Sequence, residues 1–169
     1  MKLTKKMCLF ALLAAIIWGL KFALSAIPNV EPVSLLLAVF TMSFGLESLY
    51  IMAIYVLLDI LLYGFGMWTV GYLYIWAVLI FAVYFVWKKT HKYLYIVITT
   101  GLFGFIFGAL YIPMYLTMGG IDIAVNWWIT GILYDVIHGV ANFVIAYFLL
   151  ERTHKLCETL KEKYGYDRL

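Results

Sequence analysis

Residues 7–27 have the sequence MCLFALLAAIIWGLKFALSAI, in which Lys21 is the only charged residue. A run of about 20 apolar residues is long enough to cross a bilayer as a helix. The rest of the chain resembles this segment, because 66% of all residues are hydrophobic, 12% are charged and the mean hydropathy is +1.01. A water-soluble fold of this composition would expose more apolar surface than soluble proteins tolerate. The sequence therefore predicts an all-α, polytopic membrane protein.

Hydrophobicity predicts six spans, of which the second and third are short. Their approximate bounds are 7–27, 33–44, 48–63, 70–87, 93–112 and 126–150. No polar linker separates them, so we expect one membrane domain over residues 1–169. Residues 151–169 form a charged tail that is expected to continue the last helix as a solvated end or a docking surface.

The basic residues predict the orientation. Eleven of the twelve Lys and Arg residues lie in three clusters, near the N-terminus, at residues 88–92 and in the tail. Basic loops remain in the cytoplasm, and four and then two spans separate the clusters. We therefore expect a six-helix bundle with both termini cytoplasmic, and we expect the first apolar run to be retained as a span and not cleaved as a signal peptide.

Small residues recur every four positions in the first span, at Ala11, Ala15, Gly19 and Ala23. This spacing places them on one helical face, where they allow a second helix to approach closely in lipid. Two interpretations are open: the face packs inside the protein, or it contacts another membrane subunit.

Few ionisable residues lie inside the predicted spans. Lys21 lies about 9 Å below the outer end of its helix, Asp59 lies at a similar depth, and Asp135 lies about 13 Å into the last span. Intramembrane charges are costly unless they are paired or face water. We expect the three side chains to line one polar chamber that opens to the outside.

The last span adds polar side chains to this level. Gly131, Asp135, His138 and Asn142 recur at three and four residues and share one face. One interpretation is structural, with an ion pair between Lys21 and Asp135 and with interhelical hydrogen bonds from His138 and Asn142. The other is that some of these groups recognise a polar solute.

A kinked loop and many aromatic residues lie at the predicted outer side. Pro28 and Pro32 bracket Asn29 and Glu31, which either belong to a structural turn or present polar groups at the mouth of a pocket. The aromatic candidates for stacking on a planar solute are Trp68, Tyr72, Tyr111, Trp127 and Trp128. Many such residues anchor helices at the membrane interface, and the remainder can contact a ring.

The sequence contains no motif typical of an enzyme. HExxH, GxSxG, CxxC and Walker sequences are absent. Asp135 and His138 offer two metal ligands without a third, and Cys8 and Cys157 suggest no disulfide. We expect neither catalysis nor a cofactor, a metal or a nucleic-acid partner.

Taken together, the small residues of the first helix, the Ile27-Pro-Asn-Val-Glu-Pro loop and Asp135-x-x-His-Gly-x-x-Asn resemble the substrate-binding S components of energy-coupling factor (ECF) transporters. The resemblance implies a prokaryotic plasma-membrane protein that captures a vitamin or related micronutrient near the outer face. It also implies that the first helix docks on a transmembrane coupling subunit, that two separate ATPases drive import, and that residues 28–32 are a candidate lid. Gly19 departs from the strict Ala-x-x-x-Ala pattern of the family.

The sequence leaves the solute and two rival functions open. Aromatic surroundings favour a ring-bearing vitamin. Lys21 suits an anionic group and Asp135 a cationic one, so the charges do not distinguish between anionic and cationic solutes. One rival function is a proton-coupled secondary transporter that acts alone. The other is a structural or assembly membrane protein that binds no solute.

Overall fold

Between residues 3 and 166 the protein folds as a bundle of six α-helices. The computed structural model describes residues 3–166, and within them the predicted all-helical fold is confirmed. The helices are α1 (Leu3–Ala23), α2 (Val33–Phe44), α3 (Ser48–Tyr63), α4 (Met67–Thr90), α5 (Tyr93–Phe105) and α6 (Ile112–Lys163). Short 3₁₀ turns, Gly45–Glu47 and Ala109–Tyr111, precede α3 and α6. Lys2 and Arg168 of the basic clusters lie outside the described residues, as do the other residues of 1–2 and 167–169.

Several of the helices are long and apolar enough to cross a membrane. By length and composition, four segments of the described chain qualify, namely Leu3–Ala23, Val33–Tyr63, Met67–Thr90 and Ala109–Lys163, and Tyr93–Phe105 is a shorter apolar helix. With 12 and 13 residues, α2 and α5 rise only about 18 and 20 Å. A hydrocarbon core is about 30 Å thick. The fold is thus compatible with a multi-pass membrane protein, and six separate spans stay a prediction.

Side-chain pairs show how the chain alternates in direction. Lys6 near the start of α1 pairs with Glu47, and Lys21 near its end pairs with Asp59. Consequently α1 and α3 run parallel, and α2 returns between them. The reversal occurs at Gly45, whose φ of 61° lies in the left-handed region that glycine adopts without steric cost.

The two ends of the bundle differ in what they contain. We call the end that holds residues 24–32 the loop end, and the end that holds Glu47 the terminal end. The hydroxyl of Tyr166 donates to Glu47, which also binds Lys6, so both described chain ends lie at the terminal end. Which end faces the cytoplasm stays a prediction.

The core centres on α2, because every residue of this helix is buried. Its main neighbours are α4 and α6. Helices α5 and α6 approach each other closely, since a Cβ on Gly104 would lie 2.7 Å from the backbone of Gly139. Such close approach in a lipid environment relies on small residues. It fixes the position of α6 beside the turn that follows α5.

The last helix is interrupted near its start. Gly119 and Gly120 have non-helical backbone angles, and the ring of Tyr115 before the break stacks on Trp127 after it, with centroids 4.4 Å apart. Residues 121–163 then rise about 64 Å, which is longer than a membrane is thick. The helix therefore continues beyond residue 150, the predicted end of the last span, into the tail as far as Lys163.

Candidate functional site

The loop end contains two cavities. The first, which we call the lysine cavity, has about 490 Å³ of space, part of it open to solvent, and is lined by Lys21, Asp59, Tyr63, Trp68, Thr69 and Tyr72. The second, which we call the aspartate cavity, has about 810 Å³ of space, part of it also open to solvent. Its lining residues include Asn29, Phe107, Tyr111, Trp127, Tyr134 and Asp135. The sequence predicted one chamber for all three charged side chains, whereas the structure separates Asp135 from the other two.

Aromatic side chains form the partition between the cavities. The ring of Tyr111 lies directly over Gly71 of α4, where a Cβ would come within 2.1 Å of it, and its hydroxyl donates to the carbonyl of Trp68 over 3.1 Å. Phe107 packs edge-on against Tyr72, with centroids 6.4 Å apart. Tyr72 and Trp68 face the first cavity, while Phe107 and Tyr111 face the second. The turn between α5 and α6 thus divides the expected chamber.

The lysine cavity contains a compact ion pair. The Nζ atom of Lys21 lies 2.5 Å from Oδ2 of Asp59, whose side chain is 2% exposed. The ammonium group also lies 5.0 to 5.8 Å from the ring centroids of Tyr55, Tyr63 and Tyr72. Cation–π contact of this kind adds to the stability of a cation in a poorly solvated site. Lys21 is therefore neutralised within the protein itself, by Asp59 and not by Asp135 as the structural interpretation proposed.

The aspartate cavity contains a carboxylate that forms no ion pair with any residue of the described range 3–166. Oδ1 of Asp135 accepts a hydrogen bond from the backbone N–H of Gly108 over 2.8 Å. Oδ2 is buried and has no hydrogen-bond partner among the described residues. A Cβ on Gly108 would lie 2.5 Å from this oxygen, so the carboxylate depends on a glycine at that position. The arrangement leaves one carboxylate oxygen without a partner in the described protein, beside a cavity that Asp135 helps to line.

Glu31 connects the loop to two helices. Its carboxylate accepts hydrogen bonds from the backbone N–H groups of Val33 and Ser34 and from the Ser34 hydroxyl, which caps α2. Negative charge at a helix N-terminus is favourable. Nε2 of His138 lies 3.1 Å from Oε1 of the same carboxylate. Of the two interpretations left open for Glu31, the structure favours a role in the turn.

His138 and Asn142 serve as interhelical contacts. The side-chain amide of Asn142 donates to the Ser34 hydroxyl over 3.0 Å and to the carbonyl of Thr100 over 3.5 Å. These bonds tie α6 to α2 and α5 in the buried centre of the bundle. The structural interpretation of these two residues thus agrees with their observed contacts.

The twelve predicted binding residues fall into three groups and one remainder. The lysine cavity is lined by Lys21, Asp59, Trp68 and Tyr72, and the aspartate cavity is lined by Asn29, Tyr111, Trp127 and Asp135. Contacts between parts of the protein account for Glu31, His138 and Asn142. Trp128 is 38% exposed and does not line either cavity.

Several contributors to the site were not predicted, among them Tyr55, Tyr63, Thr69, Phe107, Gly108 and Tyr134. Tyr55 and Tyr63 lie four residues before and after Asp59, a spacing that places them on its face of α3 and could have identified them. Phe107 and Gly108 lie in a stretch of alternating glycine and aromatic residues. Nothing in that stretch distinguishes the glycine that contacts a carboxylate from its neighbours.

The small residues of α1 lie on the outside of the bundle. Ala11, Ala15, Gly19 and Ala23 are all exposed. The buried face of α1 consists instead of Phe10, Ala14 and Ile17. A Cβ on Gly19 would meet no atom within 4 Å. Internal packing therefore does not account for the stripe within the described residues.

The site offers binding groups, with no cluster of three or more potential metal ligands among the described residues. Aromatic walls and buried carboxylates suit recognition of a small molecule by stacking, hydrogen bonding and charge. Comparison of the chain with protein-family models, with curated proteins and with solved structures finds no match.

Proposed function

We propose that this chain is the substrate-binding subunit of an ECF-type importer. It captures a vitamin or related micronutrient outside the cell and delivers it by docking on a transmembrane coupling subunit that two separate ATPases power. The observation that carries the proposal is the aspartate cavity. About 390 Å³ of it is accessible to a small molecule, which falls in the range of small-molecule sites, and its walls combine aromatic rings with one buried carboxylate.

The position of the cavity supports capture from outside. It lies at the loop end, and the basic clusters that favour the cytoplasm lie at the terminal end. Asn29 of the loop lines the cavity and has a φ of 56°, in the left-handed region that asparagine tolerates better than most residues. This position of Asn29 supports a role of residues 28–32 as a lid over the solute.

The exposed stripe on α1 supports the docking step. Ala11, Ala15, Gly19 and Ala23 present a smooth helical face that the protein itself does not use. In lipid, such faces associate through close van der Waals packing. A transmembrane coupling subunit is a partner of the required kind.

The test of the proposal is native mass spectrometry of the gently purified protein, with identification of any small molecule released on denaturation. A released vitamin or vitamin precursor is the expected result. A protein that releases no solute and binds no member of a vitamin panel contradicts the proposal and favours the structural or assembly function. In that case, substitution of Asp135 would change stability alone.

A second candidate function, a secondary transporter acting alone, is favoured by one observation. The ion pair of Lys21 with Asp59 and the contact of Glu31 with His138 place ionisable groups on several helices of one bundle end. Such groups can relay protons. This function predicts solute uptake by liposomes that contain only this protein, whereas the ECF proposal predicts no uptake until the coupling subunit, the ATPases and ATP are added.

A further inference from the structure

The charges of the two cavities are not equivalent, and the difference bears on the solute. In the lysine cavity, Lys21 and Asp59 compensate each other at 2.5 Å. A solute anion would have to compete with a carboxylate already in place. The anionic preference that Lys21 suggests in isolation is therefore cancelled by the protein.

Asp135 has no ion pair of this kind among the described residues, and His138 is the titratable group whose charge, when protonated, acts on it. Its side chain is 7% exposed, and no Lys, Arg or His among the described residues lies within 4.0 Å of its carboxylate oxygens. His138, one turn further along α6, directs Nε2 to Glu31. A buried carboxylate is costly unless a hydrogen bond or a positive charge compensates it. Gly108 supplies one hydrogen bond, and Oδ2 remains for a second partner.

The loop end as a whole carries negative charge. Its acidic residues are Glu31, Asp59, Asp122 and Asp135, and Lys21 is the only Lys or Arg at that end among the described residues. The complete chain, by contrast, has a formal net charge of +3. A cleft of one sign concentrates solutes of the opposite sign. The field at this end therefore favours cations.

The walls of the aspartate cavity suit a cation as well. Phe107, Tyr111, Trp127 and Tyr134 surround the space into which Asp135 faces. Ring faces attract positive charge, and the attraction strengthens when the cation is desolvated. A carboxylate inside an aromatic enclosure is an arrangement that recognises protonated amines and cationic heterocycles.

We infer that the solute of the aspartate cavity carries a cationic nitrogen, which binds the carboxylate of Asp135 within the aromatic enclosure. The inference rests on the proposed function and specifies the charge class of its substrate. It excludes solutes whose recognition depends on a carboxylate or phosphate held by Lys21.

The test uses the purified full-length chain and compounds matched in shape but different in charge. The probes are the cations thiamine, 1-methylnicotinamide and pyridoxamine, the neutral partners nicotinamide and pyridoxine, and the anion nicotinate. Thermal stabilisation and tryptophan fluorescence report binding. We expect at least one cation to bind, with its neutral or anionic partner weaker by about tenfold or more, as for a charge-assisted hydrogen bond.

Two variants tie the preference to the site. Asp135→Asn keeps an oxygen for the Gly108 N–H and removes the charge, so affinity for the cation should fall by about tenfold or more. Trp127→Leu keeps the carboxylate intact and removes one aromatic ring. It should reduce the affinity for the cation more than the affinity for its neutral partner. The matched control is Asp122→Asn, which removes an exposed carboxylate of the same helix that lines neither cavity. It should lower cation affinity far less than Asp135→Asn does, because only a screened, long-range charge is lost.

Each outcome is decisive. Tighter binding of a neutral or anionic probe than of its matched cation, or cation binding that Asp135→Asn leaves unchanged, overturns the inference and leaves the proposed function standing. Absence of binding by every probe also overturns the inference, and the solute released in native mass spectrometry then decides the proposed function separately.

Discussion

At the scale of residues, two buried carboxylates of similar depth have different surroundings. Each has one buried oxygen without a hydrogen-bond partner among the described residues, but Asp59 forms an ion pair with Lys21, whereas Asp135 is held by a backbone N–H. The two carboxylates differ because Asp59 faces Lys21 of α1, whereas Asp135 faces the backbone of Gly108 in the turn after α5. A sequence places each carboxylate on a helical face, but the residue opposite that face depends on which helices pack together.

The contact between Gly108 and Asp135 predicts that Gly108→Ala displaces the carboxylate. The added methyl would lie 2.5 Å from Oδ2, so the side chain must move and its hydrogen bond to the backbone must weaken. We expect a loss of about 1–3 kcal/mol in stability and at least tenfold weaker solute binding. Thermal unfolding in detergent and a binding titration measure the two effects.

Gly19→Ala is the control for this substitution, because its methyl meets no atom within 4 Å. It should leave stability and solute binding unchanged. Equal behaviour of the two alanine variants would mean that the carboxylate does not depend on the glycine.

The ion pair of the lysine cavity predicts a non-additive double-mutant cycle. Lys21→Met leaves Asp59 buried without a counter-charge, and removal of one partner of a buried pair costs about 3–5 kcal/mol. Because Lys21 is partly exposed, we expect a value near the lower limit. The double variant Lys21→Met with Asp59→Asn should recover much of the loss in the same unfolding assay. Additive losses would show that the two residues stabilise the fold independently.

At the scale of elements, helix existence was predictable and helix neighbours were not. Long apolar runs identified all six helices, and the small-residue spacing placed Ala15 and Gly19 on one face of α1. The sequence did not show that Tyr111 packs over Gly71 of α4 and closes off part of the expected chamber. That contact depends on the turn after α5, whose path is set by the close approach of Gly104 to Gly139.

The outer face of α1 predicts a separation of docking from binding. Enlarging Ala15 or Gly19 to leucine should block association with a coupling subunit, because bulky side chains keep the helix backbones apart. Solute binding should remain, since neither residue lines a cavity. Co-purification with the coupling subunit and a binding titration test the two parts.

Leu20→Phe is the matched control, because it adds bulk at an exposed position of α1 outside the stripe. It should leave association intact. Unchanged co-purification of Ala15→Leu and Gly19→Leu would place the docking surface on another face.

At the scale of the whole molecule, charge is sorted along the bundle. The loop end carries four carboxylates and one lysine, and the terminal end carries the described basic clusters, with Lys6 and Tyr166 meeting at Glu47. The same separation serves two requirements. Basic residues that remain in the cytoplasm orient the protein, and acidic residues at the opposite end favour cationic solutes outside.

This sorting predicts the orientation of the protein in the cell. In a background with Cys8 and Cys157 replaced by alanine, Ser25→Cys places a thiol in the exposed loop and Glu162→Cys places one in the exposed tail. A membrane-impermeant maleimide should label Ser25→Cys in intact cells and Glu162→Cys only after permeabilisation, because the basic clusters hold the terminal end in the cytoplasm. Labelling in the reverse pattern would place the aspartate cavity on the cytoplasmic side and would contradict capture from outside. Labelling of both thiols in intact cells would contradict the assignment of a single orientation.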